Sequence, residues 1–144
     1  MTEDIRASIV EFRGKLAVDY ESTTADNPAF FFESDIHKFG YFVMEGNCDF
    51  TDFFSASSLE DFGGIINENN YQILSFTGMF DNCTALTQKA IDNILKMCIE
   101  QNANYNGTKS LEELGIVDTD LIDKVEASEN YNEFIATGWT IATE

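Results

Sequence analysis

Polar and apolar positions along this chain follow two different periods, and the change falls near its middle. Ile5, Ile9 and Phe12 lie four and three apart, the spacing of one helical face, so residues 3–13 read as a helix. Thr2 stands where an N-cap belongs, Glu3 and Asp4 suit the positive end of the helix dipole, and Gly14 supplies a stop. Leu16, Val18 and Tyr20 then alternate with Lys15, Ala17 and Asp19, as in a strand, although Phe12, Leu16 and Tyr20 also keep a helical spacing. Residues 22–28 form a loop that ends at Pro28, the only proline. Phe30, Phe31 and Phe32 run together, and Phe39, Tyr41 and Val43 alternate with their neighbours, which predicts two strands with at least one buried face. Glu45 to Asn47 is a turn, and residues 48–54 suggest a third short strand. Ser57 with Glu60, or Ser58 with Asp61, has the form of a capping box for one helical turn, closed by Gly63 and Gly64. After a polar turn at 67–70, Tyr71 to Thr77 reads as a strand.

The second half is helical. Leu86, Ala90, Ile91, Ile94, Leu95 and Cys98 form one stripe, predicting a main helix over about 83–101 with Thr84 or Asp81 as its cap. Ser110 and Glu113 make another capping box, short helices fill 110–136, and Gly138-Trp139 begins a last short strand. Strands in one half and helices in the other point to an α+β fold. The expected architecture is a small antiparallel sheet, mostly from the N-terminal half, packed by the main helix and the short C-terminal helices. No internal repeat, linker or low-complexity tract is visible, so residues 1–144 read as a single domain.

Composition adds a core. The 144 residues are 44% hydrophobic and include 13 Phe, enough for a chain of this size to bury an apolar interior without disulfides or metals. The aromatic run also bears on partners. Consecutive residues in a strand point to opposite faces, so Phe30–Phe32 and Phe53-Phe54 either fill two layers of core or leave rings on the surface. Core on both faces is the expected case, and an exposed patch would instead serve self-association.

Charge changes the picture most. Against 26 Asp and Glu stand 8 Lys and Arg, for a net charge of −18. A field of that sign repels nucleic-acid backbones and anionic membranes, and favours the basic surface of another protein. Residues 39–88 hold seven acids, among them Glu45, Asp49, Asp52, Glu60 and Asp61, and no Lys or Arg. Residues 110–144 hold nine acids, including Glu112, Glu113, Asp118, Asp120, Asp123, Glu126 and Glu129, against Lys124 alone. These two groups are the candidate partner-binding residues. The segment Met1 to Arg13 does not read as a signal or transit peptide, no apolar run approaches 18 residues, and a cytoplasmic location is expected.

Catalytic chemistry lacks parts. The one histidine is His37, and Cys48, Cys83 and Cys98 show no metal or redox spacing. Gly63-Gly64 has no lysine near it to make a phosphate loop. No cofactor is expected. The sequons at Asn82 and Asn106 stand without a secretion signal and read as chance.

One segment has ligand-like spacing. Asn102, Asn104 and Asn106 occupy alternate positions, Gly107 follows, and Glu113 is twelfth in the run. The stretch Asn102–Glu113 resembles an EF-hand calcium loop, which uses side-chain oxygens at such positions, a glycine for the sharp turn and a bidentate glutamate. It departs from that pattern in having Asn at the first position and Lys109 at the eighth. Calcium binding there would be weak; the alternative is an Asn-rich turn with Ser110 capping the next helix.

The leading expectation is therefore a non-enzymatic, acidic protein-binding protein that blocks a basic surface. In size and charge alone it is similar to the DNA-mimicking anti-restriction and anti-CRISPR proteins of phages. A structural protein that assembles through an aromatic patch is the alternative, and a weak calcium-binding module is a third.

Overall fold

The computed structural model describes residues 8–14 and 31–141. Among the described residues six strands come first: β1 (Ser8–Gly14), β2 (Lys38–Met44), β3 (Cys48–Asp49), β4 (Asp61–Phe62), β5 (Ile65–Ile66) and β6 (Ile73–Ser75). Four helices follow: α1 (Gln88–Glu100), α2 (Leu111–Leu114), α3 (Thr119–Glu126) and α4 (Tyr131–Ala136), with one 3-10 turn at Asn102–Asn104.

The expected antiparallel sheet is not what forms. Every described strand pair is parallel: β1 with β2, β2 with β4 and β5, and β3 with β6. The chain alternates between two sheets and returns each time beside its own previous pass. It is a short coil of stacked rungs, a solenoid. Lys38 pairs with Asp61 and Phe42 with Ile65, a step of 23 residues, while Cys48 pairs with Ile73, a step of 25. An internal repeat is therefore present. It escapes the sequence because the step varies and few positions keep their identity.

Each rung turns its corner with tight turns instead of strands. Phe53 N donates to Phe50 O and Ser57 N to Phe54 O; one rung on, Met79 N donates to Phe76 O and Cys83 N to Phe80 O. The third residue of each turn has positive φ: Asp52 at 56°, Ala56 at 58°, Gly78 at 66° and Asn82 at 59°. Glu33, at 55°, repeats this one rung earlier, in the turn that Ser34 N closes on Phe31 O. These are type II turns, which prefer Gly or Asn at that place. Only the last rung carries those residues. Rung-to-rung bonds run between the turns, from Phe54 N to Met79 O and Ala56 N to Asp81 O, each under 3 Å.

Parallel stacking places equivalent side chains over one another. Phe31, Phe54 and Phe80 form one ladder, with ring centres 5.7 and 5.6 Å apart and planes 18° from parallel. Phe50–Phe76, Phe39–Phe62 and Phe12–Phe42 stack in the same way. The aromatic block is thus interior: Phe39, Phe42, Phe50, Phe53, Phe54, Phe62, Phe76 and Phe80 are all buried. Of the leading triplet, Phe31 packs against this core and Phe32 is exposed.

The helix expected over 3–13 is overturned where it can be seen, since Ser8–Gly14 is strand β1. Ile9 and Phe12 face inward at a spacing of three, but pairing along the whole of β2 decides the backbone, as tertiary contacts override local propensity. The strand at 16–20 and the loop at 22–28 lie outside the described residues, as does Phe30. The helical turn expected at 57–61 is also absent: Ser57 Oγ accepts from Leu59 N, and β4 begins at Asp61. The main helix starts later than expected, at Gln88. Thr87 caps it, accepting from Ala90 N, with its one hydroxyl proton between the Glu60 carbonyl and Asp61 Oδ1, each 3.1 Å away. One cap therefore also ties α1 to the start of β4.

The C-terminal helices close the end of the stack. Gly78 N and Phe80 N donate to the carbonyls of Glu113 and Leu114, so α2 continues the rung series. Tyr105 bridges Ile73, and Trp139 is buried against Tyr105 and Phe134 at 5.8 and 5.7 Å. Gly138-Trp139 makes no strand, only an isolated bridge between Thr140 and Ser110. Among the described residues no helix is long and apolar enough to cross a membrane.

Candidate functional site

The two groups of acids meet different fates. In the stack, most are half-buried and held locally. Asp49 Oδ1 accepts from Thr51 N, Asp61 from Thr87, and Asp52 Oδ1 lies over Gly78. Glu60 is half-buried at the same corner, where its carbonyl receives Thr87. Glu45 is exposed but faces Arg13 at 3.7 Å. These residues stabilise turns and corners; they do not form an open carboxylate surface.

The cap is the reverse. Glu112, Asp118, Asp120, Asp123, Glu126 and Glu129 are all exposed. On α3 the buried side belongs to Leu121 and Val125, while Asp120, Asp123 and Glu126 recur three apart on the opposite side. Asp118 caps that helix by accepting from Asp120 N. Lys124 makes no ion pair among the described residues, which leaves the row of carboxylates uncompensated. Like charges at this spacing weaken a helix by a few tenths of a kcal/mol per pair. Glu113 stands apart: it is half-buried and receives the Thr77 hydroxyl.

The Asn102–Glu113 segment lies between α1 and α3 and runs into α2. Asn102–Asn104 is a 3-10 turn, and Lys109 Nζ donates to the Asn102 carbonyl at 3.2 Å. Asn104 Nδ2 is tied to Gln101, and Asn106 is exposed. Tyr105 takes the centre of the segment, buried, with its hydroxyl donating to the Thr108 carbonyl and its ring against Gly107. Glu113 turns to Thr77, just after β6. The Ser110 cap of α2 does form, with Ser110 Oγ accepting from Glu113 N. Among the described residues no group of three or more His, Cys, Asp or Glu is placed to hold a metal ion.

The thiols sit in the wrong environment for nucleophilic work. Burial pushes Cys83 up to about 11, against the opposing pull of its Ser57 hydrogen bonds, and pushes Cys98 up by desolvation alone. The thiolate is the reactive form, and both positions disfavour it. Cys48 is buried too, and His37 is buried with its carbonyl accepting from Glu60 and Asp61.

A concave surface that the sequence reading missed lies where β1, β2 and β4 meet α1. It is a groove of about 410 Å3, floored by Gly40 and Gly63 and bordered by Val10, Tyr41, Lys38 and Lys89. The recurring pair Phe39-Gly40 and Phe62-Gly63 was its trace in the sequence. A Cβ on Gly40 would lie 2.0 Å from the Val10 carbonyl oxygen, and one on Gly63 would lie 2.2 Å from that of Gly40. Rungs approach closely only because both side chains are missing.

No protein-family model matches the chain, and neither a curated protein nor a solved structure does.

Proposed function

We propose that this protein is a binding module whose helical cap docks on a basic surface of another protein. The observation that carries this reading is the uncompensated, exposed row Asp120, Asp123 and Glu126 on one side of α3, flanked by Asp118 and Glu129. Such a row attracts a basic partner over roughly a Debye length and fixes its register on contact. Block of a nucleic-acid site by carboxylates in place of phosphates is the sharper form of the same proposal. It rests on the cap, because Asp49, Asp52, Glu60 and Asp61 of the stack are half-buried.

The test is capture of partners at low salt by the wild-type protein and by D120N/D123N/E126Q/E129Q. The proposal expects a basic protein held by the wild type, released by a salt gradient and lost from the variant. Displacement of that protein by added DNA would establish mimicry, and failure of DNA to compete would limit the reading to protein docking. Equal capture by the two proteins would refute the cap as the docking face.

A further inference from the structure

The groove on the Gly40–Gly63 strip combines three features that packing alone does not require. Its lining is mostly apolar, with Val10 80% exposed on one side and Tyr41 48% exposed at the mouth. Its volume of about 410 Å3 falls in the range of small-molecule sites. Lys38 from β2 and Lys89 from α1 both border it, both exposed, and neither makes an ion pair among the described residues. In a chain with 26 acids and 8 bases, two unpaired ammonium groups on one apolar groove stand out against the general field.

We propose that this groove binds a small amphipathic anion. A flat apolar body would lie on the side-chain-free strip between Val10 and Tyr41, and a carboxylate or sulfonate would sit between the Lys38 and Lys89 ammonium groups. Asp61 is the one acid on this rim, and its Oδ1 already accepts from Thr87 Oγ1. The rim therefore keeps one positive charge. Lys89 also borders a neighbouring concavity lined by Asp92, Glu129 and Glu133; these acids lower the pull of Lys89 on a bound anion, while acids farther than about 8 Å act only weakly at physiological salt.

Amide NMR with 2-naphthoate as the probe, and naphthalen-2-ylmethylammonium as its opposite-charge partner, tests this. Saturable shifts are expected at the amides of Gly40, Gly63, Ala90 and Asn93. The ammonium probe should bind about fivefold more weakly, as should naphthoate to K38Q/K89Q, a variant of two exposed side chains whose amide dispersion should stay native. Shifts scattered over the surface, no saturation at those four amides, or equal binding of the two probes would overturn the proposal. So would unchanged naphthoate affinity in K38Q/K89Q.

Discussion

The rung stack and the helical cap carry the same kind of residue in opposite ways. In the stack, an acid such as Asp49 or Asp61 is part of the architecture, accepting a bond from a turn amide or a cap hydroxyl. In the cap, Asp120 and Asp123 hold nothing together. The stack is built of contacts between residues more than 20 positions apart, whereas the cap helices close their own backbone bonds within four. A charge is therefore free for a partner only where the backbone does not need it, and the cap is such a place.

That contrast predicts where the protein breaks. The largest effect should come from Phe54→Ala at the centre of the ring ladder. It deletes a fully buried ring with stacked neighbours above and below, for a loss of about 3–5 kcal/mol in urea unfolding. A loss below about 1 kcal/mol would mean that the rungs do not share one core.

Alkaline pH should follow. The thiols of Cys83 and Cys98 are raised in the folded state, so above pH about 9 the unfolded chain gives up protons that the folded chain keeps. Their contribution is fully present below the ordinary thiol value of 9.0 and is lost as pH rises toward about 11 for Cys83 and beyond that for Cys98. Tyr105, raised to about 12 by burial and by the nearby Glu113 carboxylate, extends the loss. The slope approaches about 1.4 kcal/mol per pH unit for each group. Urea midpoints should hold from pH 8 to about 9 and then fall toward pH 11, and a flat profile above pH 9 would contradict the burial of the thiols.

Gly40→Ala should come next, since a methyl group there meets the backbone of β1 and not a movable side chain. About 1–3 kcal/mol is expected, with amide exchange rising first along β1 and β2. The smallest effect should be a gain. Ala56 is exposed and sits at φ 58°, where an L-residue is disfavoured by about 1 kcal/mol, so Ala56→Gly should raise the melting temperature. A fall instead would show that the turn conformation is not the native one in solution.

Much of the cap was legible. The stripe from Leu86 to Cys98 predicted α1, and the Ser110 box predicted α2, because helices are written in spacings of three and four that one segment contains. The acids of 110–144 were likewise recognised as a group. The solenoid was not legible, because its evidence is distributed. Ile9 and Phe12 fit a helix until β2 lies beside them. Type II turns announce themselves by Gly or Asn, and the earlier turns carry Glu33, Asp52 and Ala56 instead. Within Asn102–Glu113, which has calcium-like spacing, the burial of Tyr105 was not legible either, because the core that claims this aromatic is built by distant residues.

The chain by itself therefore determined a large aromatic core, a strong negative field and the helical character of the second half. All three follow from composition or from short-range periodicity. Only the tertiary structure decided that the strands run parallel, that Gly40 and Gly63 stack to open a groove, and which carboxylates remain exposed. Those outcomes depend on register between passes of the chain 22 to 30 residues apart, and no local pattern contains that information.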